Sequence, residues 1–437
     1  MKEQSLKKQT ALTAGIAAVV RALGFGMRLW ISRQLGAEAV GVMELTGGVH
    51  MLALTPFAAG LPGAVSRMTA RATDEEKGVV LYAGRQLAIR LAVLLTPLFF
   101  LLAPWMAKGL GDGRTLPGLY CFSPCMALIG VSCIYNGYFY GRGNAWPPML
   151  GELAEQLVRL FSTVVLLGLL PRLTVAWRAA MPALSTVLGE GAGLLLIMYL
   201  GRNMPRTAPE DQISALRKKL WRQSFPLMIS RFSHTGLRML CGLLIPLRLM
   251  AAGLPQSEAV SRMGMLSGMV MPLMFLPGML AGALATVGGP AAAKCKSRSE
   301  ETKMTVRLLL PAGAAGIFCA GGLYFLAPLI AMKLYRLPEL APLLRLMCPM
   351  AVILPVQQVL GGIMTGLGLQ KKSLAASLMG AALTLFLTWQ WTADPGMHIY
   401  GAGGASMLGH GLTLICSVIY LWMRPVAAVS AAPCFNR

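Results

Sequence analysis

Two arginines, Arg21 and Arg28, stand seven residues apart in RALGFGMR, inside the first long apolar run of the chain. Seven residues is close to two helical turns, so both side chains share one helix face. An arginine inside a bilayer is costly and faces a protein interior or a watery cavity. Its guanidinium offers a planar fork of donors, which suits phosphate. The pattern returns about 210 residues later as RFSHTGLR, with Arg231 and Arg238, and a glycine (Gly26, Gly236) stands two before the second arginine in both. These four are candidate ligands for an anion in a cavity. The plainer alternative is that they snorkel to an interface or pair with Glu44 or Glu152 as struts between helices.

Other ionisable residues inside apolar segments are few: Glu44, His50, Arg90, Glu152, Glu155, Arg159, Glu190, His234 and His410. Glu155 and Arg159 lie four apart on one face and form a structural pair. Glu44 and Glu190 have no partner nearby in sequence. With His234 they are candidates for coupling to an ion gradient. No G-x-x-x-x-G-K-[ST] occurs, and GGIMTGLG lies in an apolar helix rather than after a strand. Neither a catalytic constellation nor a cofactor site is expected. The nine cysteines are scattered, and Cys121 and Cys125 have no histidine cluster near them, so no metal site is expected. Without a nucleotide site, the driving force would be Na+, H+ or the membrane potential.

The elements that carry these residues follow from composition. The chain of 437 residues is 56% hydrophobic and only 13% charged, where a soluble protein is about a quarter charged. Its apolar residues fall into twelve segments, at 10–34, 40–66, 86–107, 117–140, 148–170, 179–200, 222–250, 258–290, 306–331, 340–366, 373–392 and 400–423. Each is long enough to cross a bilayer as a helix. Pro56, Pro62, Pro272 and Pro277 allow kinks in the second and eighth. The net charge of +22 sits in alternate short loops and not in a basic arm, so nucleic acid is not an expected partner. With the N-terminus inside, cytoplasmic loops hold 23 Lys and Arg against 10 outside. That excess predicts a multi-pass membrane protein with both termini cytoplasmic.

The chain also reads as a duplication. YCFSPCMALIGVSCIYNGYFYGRGN aligns without gaps on RLMCPMAVILPVQQVLGGIMTGLGL at an offset of 225. Pro124 then meets Pro349, and Gly137, Gly141 and Gly143 meet Gly362, Gly366 and Gly368. The matched segments are six spans apart, as are the two arginine motifs. The prediction is an all-α membrane protein of about twelve helices in two six-helix lobes related by a pseudo-two-fold axis. The lobes are 1–200 and 222–437, with a cytoplasmic linker at 201–221. Sites of such transporters lie between lobes near the midplane.

RALGFGMRLWISRQLGAEAVGVMEL and GLPGAVSRMTAR resemble the opening of the MOP exporter superfamily, to which the MATE transporters also belong. They are most similar to the branch holding stage V sporulation protein B, Gram-positive polysaccharide exporters and lipid II flippases. NGYFYGRGNAWPPMLGELAEQLVRL is similar to that branch's G-Y-F-x-G…P…EQ-x-VR pattern at Gly137, Tyr138, Phe139, Gly141, Pro148, Glu155, Gln156 and Arg159. QSFPLMISRFSH with LIPLRLMAAGLPQSEAVSRMGMLSGMVMPLMFLP resembles its seventh and eighth helices. The resemblance implies two lobes opening alternately to each side. It implies export of a polyprenyl-pyrophosphate-linked saccharide, a peptidoglycan precursor or polysaccharide unit of cell wall or spore wall. It places Arg21 and Arg28 among cavity arginines that hold the pyrophosphate, with Arg231 and Arg238 added from the repeat. The expected partners are that substrate and membrane lipids, with the protein monomeric. Many members of the branch have fourteen helices, the last two forming a lipid-tail groove, which twelve spans would lack. Glu44 stands where an uncharged residue is expected. The alternatives are a cation-coupled multidrug antiporter of the same superfamily, which would need acidic cavity residues, and a non-transporting scaffold for wall or spore assembly.

Overall fold

Inside a bilayer a chain must satisfy its backbone polar groups internally, and a helix does so segment by segment. The computed structural model describes residues 2–170, 172–202, 209–295 and 297–423, without the side chains of 2–14, 17, 230, 280 and 294. Regular structure among the described residues is helical throughout. Of the residues that entered the charge and cysteine readings, Arg206, Lys296, Arg424, Cys434 and Arg437 lie outside what is described, as do linker residues 203–208 and the side chains of Lys2, Lys7, Lys8 and Lys294. Seven helices among the described residues are long and apolar enough to cross a membrane, or eight if the pair Leu340–Met347 and Met350–Gly366, bent by 41°, forms one span. The twelve apolar segments are mostly helix, three of them interrupted, at 59–60, 275–277 and 348–349, so twelve spans are compatible with the structure. The chain divides into two compact units, Met1–Met239 and Leu240–Arg437.

The first unit begins with α1 (Lys2–Ala58), broken at Gly36, whose φ of 77° is left-handed. Glycine takes that conformation without steric cost. Two residues separate α1 from α2 (Leu61–Arg71), which has Pro62 in its first turn, where proline loses nothing. Then come α3 (Asp74–Gly109), α4 (Leu116–Gly141), α5 (Trp146–Leu169) and α6 (Val175–Leu200). The backbone N–H of Thr73 donates to Glu76 at 3.0 Å, and three acidic residues fill the first turn of α3. Both features suit the positive end of a helix. Finally α7 (Glu210–Ala251) lays Ile213 and Leu220 into the unit's apolar core, against Leu61, Val65, Ile134 and Tyr138.

The second unit holds the end of α7, then α8 (Gln256–Met263), a π-helical stretch Gly264–Val270, α9 (Met271–Met274) and α10 (Gly278–Lys294). The turn at 275–277 ends on Pro277. Next are α11 (Arg298–Leu329), a second π-helical turn Ile330–Tyr335, α12 (Leu340–Met347), α13 (Met350–Gly366), α14 (Gln370–Trp391) and α15 (His398–Trp422). The Tyr335 hydroxyl donates to the Met269 carbonyl at 3.2 Å and so ties the two π segments together. Large apolar side chains cover the outside: Phe318 is 86% exposed and Phe325 81%. A surface of that kind suits lipid, not water.

Each unit, taken by itself, repeats the packing of the other. A Cβ added to Gly137 or Gly141 of α4 would overlap the backbone of Pro62 or Ser66 in α2. One added to Gly362 or Gly366 of α13 would overlap the backbone of Ala285 or Gly289 in α10. The glycines are 225 positions apart and their partners 223. The third aligned pair, Gly143 and Gly368, share left-handed φ values of 71° and 74°. Ser297 caps α11 by accepting from the Glu300 N–H at 3.2 Å, at the place where Thr73 starts α3. The sequence alignment is thus a repeat in three dimensions.

Candidate functional site

Arg21, Gly24 and Arg28 follow the i, i+3, i+7 spacing and share one face of α1. Gly24 sets that face against α5, since a Cβ there would lie 3.8 Å from Gln156 Oε1. Arg21 is exposed and makes no hydrogen bond or ion pair among the described residues. Arg28 is engaged: its Nη2 lies 2.5 Å from Glu44 Oε1. The two are 16 residues apart, which along a straight helix is about 24 Å. Contact therefore requires the chain to fold back at Gly36, which stands eight residues from each. Glu44, without a partner in sequence, gains one through this hairpin, as the strut alternative anticipated for an arginine.

Arg159 of α5 donates to Glu155 one turn earlier, and its Nη2 lies 3.9 Å from Glu190 of α6. The three side chains are 14–18% exposed. Glu190 is thus the third member of a cluster. Glu152 is exposed. His50 is buried and stacks on Phe122 with ring centroids 3.8 Å apart.

Arg231 and Arg238 lie on α7, exposed, with partly buried His234 between them on the same face. Neither arginine makes a hydrogen bond or ion pair among the described residues. All four arginines belong to the first compact unit. A left-handed glycine closes the first helix of each half, Gly36 with φ 77° and Gly253 with φ 93°. Arg21 stands fifteen residues before Gly36, and Arg238 stands fifteen before Gly253. Helix register thus pairs Arg21 with Arg238, a relation that the two motifs laid side by side did not reveal.

One cluster escaped the sequence reading. Arg114 holds Asp112, buried at 3%, with its Nη2 2.8 Å from Asp112 Oδ2, and it also reaches Glu38 in the second arm of α1. The signal was present as Asp-x-Arg before a helix, but Glu38 is remote in sequence. Among the described residues no three His, Cys, Asp or Glu side chains converge as a metal site would need.

The pattern of one family, described as polysaccharide biosynthesis protein, matches residues 6–295 and 284–428. The chain belongs to the polysaccharide biosynthesis protein family. It is 27% identical over 428 residues to stage V sporulation protein B of Bacillus subtilis (strain 168), covering 94% of this chain and 82% of that one. Its fold is similar to that of an inward-facing multidrug resistance MATE family transporter of the MOP superfamily. The TM-score is 0.75 at 17% identity, over 95% of this chain and 99% of that one. A MOP superfamily transporter from Pyrococcus furiosus, described as having a binding pocket of reversed polarity that suggests a different function, matches with a TM-score of 0.65 at 16% identity. That match covers 96% of this chain and 95% of the other. The family member is therefore a multi-pass membrane protein, all-helical among the described residues, with a fold similar to that of the MATE transporters.

Proposed function

We propose that this protein is a flippase that exports an anionic, polyprenyl-pyrophosphate-linked saccharide destined for the cell wall or, as its Bacillus relative's name suggests, the spore wall. The pyrophosphate binds to arginine, with Arg21 and Arg238 as the leading pair and Arg231 beside them. One observation carries this reading. Of the four acids inside apolar segments, Glu44, Glu155 and Glu190 lie beside an arginine and Glu152 is exposed without an ion pair, whereas three arginines, Arg21, Arg231 and Arg238, are exposed and make no ion pair among the described residues. The charge left unpaired on these segments is then net cationic, which favours an anionic substrate. A cation antiporter would need the reverse balance. The loop charges support cytoplasmic termini, and the substrate moves under an ion gradient or the membrane potential.

The test is flipping of fluorescent lipid II by purified protein in proteoliposomes, against transport of a cationic dye. A charge-assisted contact is worth about 1.5–3 kcal/mol, so Arg21→Ala should slow flipping about ten- to hundredfold while membrane insertion stays normal. Wild-type flipping by that variant, or dye transport with no flipping by the wild type, refutes the reading.

A further inference from the structure

α7 is longer than a membrane needs. Its 42 residues make about 63 Å of helix, against a hydrocarbon core of ~30 Å. The apolar stretch starts at 222, so twelve residues precede it, as twelve of α3 precede the apolar stretch at 86. The two extensions belong to the first unit and share one core, Ile213, Leu216 and Leu220 with Val80, Leu81 and Tyr82. Arg217 donates to Gln86 and lies 3.2 Å from Glu210. These contacts fix which side of α7 faces inward.

Another side of α7 has an order of its own. Lys218, Trp221, Arg222, Phe225, Ile229 and Phe232 fall within an arc of about 100° at the helical repeat. Lys218, Arg222 and neighbouring Lys219 are exposed and make no hydrogen bond or ion pair among the described residues. The four apolar members are 37–52% exposed, and the Trp221 and Phe225 rings lie 5.5 Å apart. Cations come first, two aromatic rings next and an apolar lane last. Arg222 to Phe232 is ten residues, about 15 Å, the depth of one leaflet of the core. The nearest carboxylate along this face, Asp211, stands seven residues, about 10 Å, before Lys218. Arg231 and Arg238 continue the inward side instead, about 140° round the helix, so the lane is separate from the anion site.

We propose that this face of α7 binds an anionic glycerophospholipid, with the headgroup phosphate between Lys218 and Arg222 and an acyl chain along Phe225, Ile229 and Phe232. Charge complementarity selects the headgroup. The Arg222 guanidinium can give two donors to one phosphate, Lys218 adds a point charge, and Lys219 strengthens the field beside them. The Trp221 ring lies between charge and hydrocarbon, the level that amphipathic rings take at a membrane surface. Membrane topology alone would require only that the cations lie near this end of the helix. It would not line them up with rings and an apolar lane on one face. The lane has one leaflet's depth, which suits a fatty acyl chain rather than a much longer polyprenyl chain. The site does not depend on which substrate is transported.

The experiment is native mass spectrometry of the full chain in detergent, titrated with palmitoyl-oleoyl phosphatidylglycerol or with phosphatidylcholine of the same chains. The wild type should retain phosphatidylglycerol in preference. Lys218→Gln with Arg222→Gln should weaken it about thirtyfold, about fivefold for each cation. Phosphatidylcholine retention should stay unchanged in that variant, which also shows that it is folded. Phe225→Ala with Phe232→Ala should weaken both lipids and keep their ratio. Arg231→Gln with Arg238→Gln, on the anion-site side, should leave phosphatidylglycerol affinity unchanged. Equal retention of the two lipids by the wild type, or a preference that survives Lys218→Gln with Arg222→Gln, overturns the proposal. So does tighter retention of a polyprenyl pyrophosphate that the same variant abolishes, since the face would then belong to the substrate. Failure of the wild type to flip lipid II refutes the flippase reading and leaves these lipid affinities to decide the site.

Discussion

The Arg28–Glu44 contact separates a strut from a ligand. Nη2 and Oε1 are 2.5 Å apart, with side chains 40% and 21% exposed. Fully exposed pairs are worth about 0–1 kcal/mol, and removing one partner of a fully buried pair costs about 3–5 kcal/mol. Glu44 is the more enclosed partner, while the exposure of Arg28 calls for a discount through screening. The expected coupling is about 1–2 kcal/mol. A double-mutant cycle of Arg28→Met, Glu44→Met and the double variant, read by thermal unfolding in detergent, measures it. Each single change should destabilise the protein, and the double change by less than their sum. The same variants report on transport. If Arg28 acts as a strut, loss of flipping in Arg28→Met should be largely restored by adding Glu44→Met, because the second change removes the stranded carboxylate. Additive stability effects would refute the strut. Coupled stability with flipping that stays lost in the double variant would instead make Arg28 a ligand for the substrate.

Two further outcomes follow from the packing. Arg159→Met strands Glu155 and Glu190 together in a mostly buried site and should cost about 3 kcal/mol, more than Arg159→Lys; equal melting of the two variants in detergent would contradict this. Gly366→Ala places a Cβ on the Gly289 backbone and should cost about 1–3 kcal/mol as α13 is pushed off α10. Gly141→Ala in the first unit should behave alike, and wild-type thermal stability in either would show that the helices have room to give.

Helices were legible because apolar runs of bilayer length admit little else. The repeat was legible because backbone contact demands glycine: Gly137, Gly141, Gly362 and Gly366 could not vary freely once the helices touched. Partners were harder. The sequence makes Glu155 and Arg159 neighbours through helical spacing, yet Glu190 joins them only because α6 crosses α5 at Gly189. Glu44 meets Arg28 only because Gly36 turns the chain back, and no periodicity encodes the angle of a turn. The arginine motifs misled on register for a related reason. Similar letters in RALGFGMR and RFSHTGLR align Arg21 with Arg231, whereas counting back from Gly36 and Gly253 aligns it with Arg238.

The glycine contacts of α4 on α2 and α13 on α10 have a thermodynamic side. Lipid surrounds helices with tails as apolar as leucine, so association there draws on van der Waals contact and weak Cα–H···O bonds instead of solvent exclusion. Most side chains surrender rotamers when they pack, at up to about 2 kcal/mol each, and glycine surrenders none. Joining backbone to backbone thus makes these helix pairs nearly free of side-chain entropy loss, and small attractive terms suffice to hold them.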